Sequence, residues 1–365
     1  MELMKILSLK NFRPVGGKSE NIDLFTFQHS GSVDLTAIEN DKQESETVKS
    51  RNCPFNKLGL LNTIAFVVFC YFVGGAAAIS LTCLIFDLNT SQLSDILKYP
   101  QISSKPVIIA QALIFTVSGF LVFPTIYLLI TRGNSISVLR YTKRLQFRLL
   151  IVTIALVFST LPLVSILIEL NYNVPFPDWL SNLEIYFKEM EDAARKFNGP
   201  LLMFSSFKDL AIAILIMAII PGFAEEYFFR GLVQTELQNV LKNHHYAILL
   251  SAFLFSLMHF QFYGLVPRMA FGVLLGYMFA WSNNIWYPII AHIVNNSIVI
   301  LSAYFWGPTV LDPESRNPFP ITLLLVSIVV SVVTISYLKR NYRVAGGTRR
   351  LPAEKTSPPT SSHLR

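Results

Sequence analysis

Charged residues are scarce in this chain. Asp, Glu, Lys and Arg together make up 15% of its 365 residues, whereas apolar residues account for 52% and aromatic residues for 13%. Folded in water, such a chain would have more apolar surface than one globular core can bury. The composition therefore excludes a soluble enzyme and predicts a protein whose outer surface is covered by lipid.

Cysteine is rare, and the common nucleotide-binding motifs are missing. The sequence has three cysteines, Cys53, Cys70 and Cys83, and no CxxC pair. This argues against a disulfide framework and against a cysteine-ligated zinc site. The sequence also has no GxGxxG fingerprint, no P-loop and no HExxH motif, so nothing in it supports nucleotide-driven transport.

Positive charge exceeds negative charge, with 30 Lys and Arg against 23 Asp and Glu. The basic residues lie at the edges of apolar blocks rather than along one face of a segment. This placement is typical of the cytoplasmic side of a membrane protein and unlike a nucleic-acid-binding surface. We therefore expect the lipid bilayer, and no nucleic acid, as a partner.

The sequence is rich in long apolar blocks. Eight of them follow one another, at about 58–86, 106–131, 149–171, 207–224, 246–264, 266–282, 285–306 and 320–338. Most reach the roughly 20 residues that a helix needs to cross about 30 Å of hydrocarbon. The pattern predicts an all-α, polytopic membrane domain over 58–338 with about eight transmembrane helices.

Eight crossings place both termini on the same side of the membrane, and the loop charges predict which side. Loop 132–148 has five basic residues and no acid, and the tail from Lys339 has seven basic residues against one acid. Segment 172–206 has five acids against three basic residues. By the positive-inside rule, we expect a multi-pass plasma-membrane protein with both termini in the cytoplasm.

Three segments outside the apolar blocks are polar. Residues 1–57 carry scattered charges and no apolar run, which predicts a weakly ordered cytoplasmic extension, and the basic tail 339–365 is expected to be disordered. Apolar residues recur at helical spacing within 172–206, which predicts an amphipathic helix on the membrane surface. We favour a plain interfacial connector there, with a lid over a site as the alternative.

A few ionisable and amide side chains fall in or at the apolar blocks. Because a charge within a span costs at least ~2.5–3.5 kcal/mol, such residues are candidates for function. Helical rise and the expected direction of each span place them at comparable depths, between the inner surface and just beyond the midplane. The candidates are Glu225, Glu226, Arg230, His259, His292 and Asn296.

The spacing of these residues predicts which of them face each other. Glu226 and Arg230 are four residues apart with the acid first, which is the favourable order for an ion pair on one helix face. This pair leaves Glu225 free. His292 and Asn296 have the same spacing and therefore share a face of their helix.

The segment just before the glutamates is expected to be irregular. Pro221 and Gly222 should kink or open the helix, which would free carbonyl groups and admit water to a dry layer. Asn295, by contrast, is expected to point away from the site and to pack against a neighbouring helix.

These residue types suit the hydrolysis of a peptide bond without a covalent intermediate, since no Ser or Cys is among them. Glu225, hydrogen-bonded to His259, is expected to act as the general base on a water molecule. His292 and Asn296 are expected to stabilise the oxyanion that forms when this water attacks a peptide carbonyl.

The same residues form three motifs that resemble the signatures of a known family. In chain order, the motifs are Glu225-Glu226-x-x-x-Arg230, Phe255-x-x-x-His259 and His292-x-x-x-Asn296. They resemble those of the CPBP intramembrane proteases, which include the type II CAAX prenyl endopeptidases and bacterial proteins linked to bacteriocin processing or self-immunity. The core of the resemblance covers about 207–305.

The resemblance implies an eight-helix membrane fold whose site lies inside the bundle and opens to the cytoplasmic side. It implies that Glu225 and His259 activate the water molecule. It also implies that His292 and Asn296 bind the oxyanion. It also adds Glu226 as a further catalytic candidate and Arg230 as structural support. The implied substrate is a protein or peptide, with or without an attached lipid.

The sequence leaves other mechanisms and functions open. The two His and two Glu could bind Zn²⁺ in principle, although Asn is a poor zinc ligand and we expect no cofactor. The same polar residues could instead hold helices together in a non-catalytic immunity factor or scaffold. They could also relay protons in a transporter, although the sequence has no two matched halves. An intramembrane endopeptidase is the favoured interpretation.

Overall fold

The structure is a computed structural model that describes residues 59–132, 145–311 and 319–345. Within these ranges, the backbone forms helices joined by turns, and it forms no strand. The all-α fold expected from the apolar blocks is therefore confirmed. The extension expected over 1–57 and the part of the tail beyond 345 lie outside the described residues.

Ten α-helical segments follow one another in the described part of the chain. They are α1 (Gly59–Phe86), α2 (Thr90–Lys98), α3 (102–132), α4 (Phe147–Tyr172), α5 (Ser181–Asn198), α6 (Phe207–Leu241), α7 (His244–Leu257), α8 (Leu265–Ser282), α9 (Trp286–Trp306) and α10 (Ile321–Ala345). Two of these helices contain π-helical turns, at Ser118–Val122 in α3 and at Leu215–Ile219 and Tyr227–Gln234 in α6.

Within the described ranges, seven of these helices are long and apolar enough to cross a membrane, namely α1, α3, α4, α6, α8, α9 and α10. Large apolar side chains on their outer faces are exposed, for example Leu61 at 75%, Leu84 at 78% and Ile130 at 79%. Exposing such apolar surface to water costs about 25 cal/mol per Å², so these helix faces suit contact with lipid.

The fifth expected span is shortened. Block 246–264 forms α7, a helix of 14 residues that ends at Leu257, and at 1.5 Å per residue it is about 21 Å long. The chain then turns at Phe260, whose φ is 53°. The apolar residues beyond the turn serve packing instead of membrane crossing, since Phe262 stacks on Phe187 of α5 with ring centroids 4.6 Å apart.

The last span is longer than expected. Block 320–338 continues as α10 to Ala345, so residues 339–345, which we expected to be disordered, are helical. Tyr342 explains part of this extension, because its side chain is fully buried and its hydroxyl hydrogen-bonds to Thr153 of α4. A buried polar tip with a partner anchors the end of the helix to the bundle.

α6 runs through the centre of the described bundle as one helix of 35 residues. Pro221 does not break it, because the π-helical turn before it shifts the backbone bonding, with the N–H of Ile220 donating to Leu215 five residues back. The buried aromatic side chains of Phe228 and Phe229 pack in the largest apolar cluster, together with Phe255 of α7.

α6 lies against α9 at very close range because Gly222 has no side chain. A Cβ atom built there would lie 2.6 Å from Cγ1 of Ile293 and 3.1 Å from its backbone nitrogen. Both distances are shorter than ordinary van der Waals contact. Since Ile293 follows His292, this approach sets the separation between the glutamates of α6 and the imidazole of α9.

Replacing Gly222 by Ala should therefore destabilise the protein, because the added methyl group pushes α6 away from α9. We expect a loss of about 1–3 kcal/mol, the usual cost of overpacking, measured as a lower Tm in detergent. Gly75 of α1 is the matched control, since a Cβ atom there meets no atom within 4 Å. Equal Tm values for Gly222→Ala and Gly75→Ala would contradict this account of the packing.

Candidate active site

The expected site residues meet in one cavity of about 420 Å³ between the helices. Glu225 of α6, His259 beyond the end of α7, and His292 and Asn296 of α9 all line it. The structure thus brings together four of the six residues that the sequence singled out. Much of the remaining wall is apolar and comes from α3, α4, α6 and α9, including Ala112, Val164, Ile168, Ile216 and Val299.

The other two, Glu226 and Arg230, form a buried ion pair beside the cavity. Nη1 of Arg230 donates to Oε1 of Glu226 at 2.7 Å, and the two side chains are 1% and 0% exposed. Nη2 of Arg230 donates to the carbonyl of Gly272 in α8 at 3.1 Å, and the guanidinium lies over the ring of Phe255 at 4.8 Å. The pair expected from the four-residue spacing is present, and it joins α6 to α7 and α8.

The same carboxylate oxygen also holds His292. Nδ1 of His292 lies 2.8 Å from Oε1 of Glu226, so it is Nδ1–H that donates to this carboxylate. The other ring nitrogen, Nε2, is 3.9 Å from Oε2 of Glu225. An oxygen atom about 2.8 Å from both of these atoms fits between them with ordinary hydrogen-bond lengths. The arrangement therefore leaves a place for a water molecule between Glu225 and His292.

His259 has a different partner from the one expected. Its Nδ1 lies 2.9 Å from the carbonyl of Phe255, and within the described ranges no hydrogen bond joins it to Glu225. The reason is that α7 ends at Leu257. The turn that follows donates backbone N–H groups to Leu254, Ser256 and Leu257, and the imidazole of His259 satisfies the carbonyl of Phe255. Because a carbonyl can only accept, Nδ1 carries the proton and the neutral ring has a free lone pair on Nε2.

Asn296 satisfies a backbone group that a proline leaves open. In an uninterrupted α-helix, the N–H of residue 221 would bond to the carbonyl of Met217, but Pro221 has no N–H. Nδ2 of Asn296 donates to that carbonyl at 3.2 Å. Asn296 thus joins α6 to α9 through a backbone carbonyl in the irregular turn before Pro221. An amide nitrogen has two protons, so one donor of Asn296 remains.

The expectation for Asn295 was wrong. It lines the cavity beside Asn296 rather than packing elsewhere, and its Nδ2 donates to Oδ1 of Asn296 at 3.3 Å. Consecutive residues on a helix point about 100° apart, but the cavity wraps around enough of α9 to include both. Asn295 thus fixes the carboxamide orientation of Asn296.

The sequence reasoning missed Arg268, which lines the same cavity. The signal was available, because Arg268 is a charge within the apolar block that forms α8. Nη2 of Arg268 donates to Oε1 of Gln261 at 3.0 Å, and Nε2 of Gln261 donates to Glu191 of α5 at 3.0 Å. Burial raises the pKa of the Glu191 carboxyl above its usual range, and the nearby Arg268 partly opposes this.

The amphipathic segment forms a helix, as expected, and its end reaches the site. α5 covers Ser181–Asn198, and a 3-10 turn follows at Gly199–Leu202. Asn198 and Leu201 line the cavity. The segment is therefore part of the cavity wall as well as a connection between α4 and α6.

Metal ligands do not cluster in the part of the chain that the structure describes. No group of three or more His, Cys, Asp or Glu side chains there is arranged to hold a metal ion. Oε1 of Glu226 accepts from Arg230 and from His292, and its Oε2 is buried without a hydrogen-bond partner among the described residues. Zinc binding stays an alternative from the sequence.

Membrane-length helices around a cavity with buried carboxylates and imidazoles define a polytopic helical membrane protein with an intramembrane polar site. Residues 207–298, which run from the start of α6 into α9, match the model of the type II CAAX prenyl endopeptidase Rce1-like family. Over this segment, about a quarter of the chain, the sequence is similar to the Rce1-like family. At the level of the family, the match supports a membrane-embedded protease.

Two curated relatives match over a similar length. A stretch of 99 residues is 28% identical to the membrane-embedded CAAX protease MroQ of Staphylococcus aureus (strain USA300), covering 26% of this chain and 40% of that protein. A stretch of 89 residues is 27% identical to the uncharacterized protein YpbD of Bacillus subtilis (strain 168), covering 23% of this chain and 42% of that protein. The chain thus spans about two fifths of the length of these relatives. No solved structure matches the chain.

Arg230→Met should severely destabilise the protein, because it leaves the carboxylate of Glu226 buried without its cation. We expect a loss of about 3–5 kcal/mol, measured as a fall in the yield of monodisperse protein and in its Tm. Lys188→Met is the matched control, because Lys188 pairs with Glu184 at the same spacing but is 57% exposed. An exposed pair contributes about 0.3–0.5 kcal/mol, so similar losses in both variants would contradict the role assigned to burial.

Proposed function

We propose that this protein is an intramembrane endopeptidase that hydrolyses a peptide bond of a membrane-associated protein or peptide. The observation that carries the proposal is the convergence of Glu225, His259, His292 and Asn296 on one cavity. All four lie within the segment that matches the Rce1-like family. The mainly apolar wall of the cavity supports a substrate that enters from the lipid or carries a lipid.

Glu225 is the general base in this proposal. Its carboxylate borders the cavity 3.9 Å from Nε2 of His292, and a water molecule between them can give its proton to Glu225 while it attacks the peptide carbonyl. His259 also lines the cavity, and in its neutral form, with Nδ1–H donating to Phe255, its Nε2 can accept a hydrogen bond. His259 therefore orients the water or carries a proton onward.

Glu226 is a positioning residue in this proposal, which changes the catalytic role expected from the sequence. Its Oε1 accepts from Nδ1–H of His292, so it fixes the orientation of the ring. A protonated His292 has an Nε2–H that points toward Glu225. Arg230 holds the carboxylate of Glu226 in place from the other side.

His292 and Asn296 are the proposed donors to the oxyanion. When water adds to the carbonyl carbon, the carbonyl oxygen becomes negative and accepts from Nε2–H of His292 and from the second Nδ2 proton of Asn296. The proton taken by Glu225 then passes to the leaving nitrogen, and the C–N bond breaks. The products are a carboxylic acid and an amine, and no covalent enzyme intermediate forms.

A metal-independent reaction is part of the proposal. The support for it is that Glu226 is already engaged within the protein. One of its oxygens accepts two hydrogen bonds, and its carboxylate lies against the guanidinium of Arg230. A cation so close disfavours a second cation on the same carboxylate. Activity that is lost with a chelator and restored by Zn²⁺ would favour the zinc alternative instead.

Location and topology complete the proposal. We place the protein in the plasma membrane with both termini in the cytoplasm, as the loop charges of the sequence indicate. In this orientation, Asn198 and Leu201, the residues of the acidic segment 172–206 that line the cavity, lie toward the outer side.

Glu225→Gln should abolish cleavage without loss of the fold, because the amide keeps the shape of the side chain but cannot take a proton. We expect a fall of about 10²–10⁴-fold, the range for a general base. The measurement compares membrane proteomes of cells that express the native protein or the variant, and looks for C-terminal fragments present only with the native protein. Glu169→Gln is the control, since Glu169 is exposed and is not among the residues that line the cavity.

Asn296→Ala should lower both stability and cleavage, because the carbonyl of Met217 loses its donor. Combining it with Pro221→Ala restores a backbone N–H that can bond to this carbonyl. We expect the double variant to recover most of the lost Tm but not the cleavage, as measured on purified protein in detergent. Recovery of cleavage together with the Tm would show that Asn296 acts only on the structure.

A non-catalytic immunity factor or scaffold is the second candidate, and one observation favours it. Glu226, Arg230, His292 and Asn296 all have partners within the bundle, as residues that only join helices would. Glu225 and His259 distinguish the two candidates, since among the described residues no hydrogen bond joins either side chain to another helix. A protein in which both are replaced should retain its cellular function if it is a scaffold and lose it if it is a protease.

A further inference from the structure

Two stacked aromatic rings lie on α8, far from the cavity, at the end of the bundle where α8 and α10 end and α7 begins. The rings belong to Tyr277 and Trp281, one helical turn apart, and their centroids are 5.1 Å apart. Both side chains are half-buried, so part of each ring is accessible from outside. Tyr and Trp at the end of an apolar helix are typical of the level of the lipid head groups.

A basic side chain from a neighbouring helix lies at each ring. Nδ1 of His245 in α7 is 2.7 Å from the hydroxyl of Tyr277, and Nζ of Lys339 in α10 is 5.8 Å from the centre of the Trp281 ring. His245 and Lys339 are exposed, and neither forms an ion pair within the described ranges. When the phenol donates to Nδ1, the neutral imidazole has its proton on Nε2, so both residues offer donors to an anion. We call these four residues the α8 surface.

The charge around the α8 surface is of one sign. Arg148, Lys242 and Arg340 are also exposed at this end of the bundle. The acid that the described residues place there is Glu236, which is 1% exposed, so its side chain lies inside the bundle. Exposed cations with no exposed acid among them create a positive potential that attracts anions. The α8 surface therefore suits a negatively charged ligand.

Apolar side chains continue from both basic residues toward the middle of the helices. On α7, Leu249 and Phe253 follow His245 at intervals of four residues and are 42% and 38% exposed. On α10, Val332 precedes Lys339 by seven residues and is 58% exposed. Residues four or seven apart share one face of a helix. An anion bound between the basic residues would thus have exposed apolar surface beside it, which fits a phospholipid rather than a free phosphate.

We propose that the α8 surface binds the head group of an anionic phospholipid. The phosphate lies between His245 and Lys339, and the acyl chains follow the apolar faces of α7 and α10. Tyr277 and Trp281 contact the glycerol region, where amphipathic rings are favoured. A lipid bound in this way connects α7, α8 and α10. The proposal does not depend on the proposed function, because the α8 surface shares no residue with the lining of the cavity.

The experiment measures which lipid stays bound to the protein. Full-length protein is reconstituted in nanodiscs of equal parts phosphatidylglycerol and phosphatidylcholine with the same acyl chains. It is then released into mild detergent, and native mass spectrometry quantifies the retained lipids. We expect the anionic lipid to be retained about tenfold better, as for hydrogen bonds to a charged group. An excess of glycerol phosphate, which has the charge but no acyl chains, should not displace it.

The variants separate a defined site from a general attraction between charges. His245→Gln combined with Lys339→Gln should reduce the ratio of anionic to zwitterionic lipid to about one, whereas Lys339→Arg should keep the preference because it keeps the cation. Arg148→Gln is the matched control. Arg148 is exposed at the same end of the bundle and lies over the ring of Tyr337 at 5.5 Å, but it is outside the α8 surface. All these changes are at exposed side chains, so the Tm should stay that of the native protein.

Several results would overturn the proposal. One is a native protein that retains both lipids equally. Another is a preference that Arg148→Gln lowers as much as the double variant does, since the lipid would then respond to the total charge of this end and not to a site. A third is displacement by glycerol phosphate, which would assign the α8 surface to a soluble phosphate compound. A preference that the double variant keeps would likewise place the anionic lipid elsewhere on the protein.

Discussion

One carboxylate oxygen holds the centre of this bundle together. Oε1 of Glu226 accepts from Arg230 and from His292 at 2.7 and 2.8 Å, with the glutamate and arginine almost completely buried. Through the contacts of Arg230 with Gly272 and Phe255, the network joins α6, α7, α8 and α9. Desolvation makes such charges costly, so each partner is required by the others. The orientation of the His292 ring, and with it the geometry of the cavity, depends on this oxygen.

Irregular backbone supplies the second constraint. Within a membrane, every backbone polar group needs a partner inside the protein. α6 departs from this rule at Pro221, and the structure compensates with a π-helical turn and with a side-chain donor from α9, Asn296. α7 departs from it at its C-terminal end, where His259 compensates. Two residues expected to do chemistry are therefore also parts of the backbone bonding, and each keeps one free polar group.

The polar groups of the interior thus fall into two kinds. Those with partners on other helices fix the geometry, as the Glu226 network does. Those that make no hydrogen bond in the described part of the chain face the cavity and include the carboxylate of Glu225, Nε2 of His292 and Nη1 of Arg268. A bundle that only needed cohesion would have no reason to keep unpartnered charges, because each costs free energy in a medium of low dielectric constant. The proposed hydrolysis uses the second kind and relies on the first.

Much of the fold and of the candidate site was determined by the sequence alone. The apolar blocks predicted an all-α membrane fold, the four-residue spacing predicted the pair of Glu226 and Arg230, and the rarity of polar residues in the blocks identified the cavity residues. These features depend on local periodicity and on the cost of placing charge in lipid, and both can be read along a chain. Only the tertiary structure decided which groups pair across helices. The partner of His259, the carboxylate that holds His292 and the free nitrogen of Arg268 depend on where α7 ends and how closely Gly222 lets α6 approach α9, and these are properties of packing between segments distant in sequence.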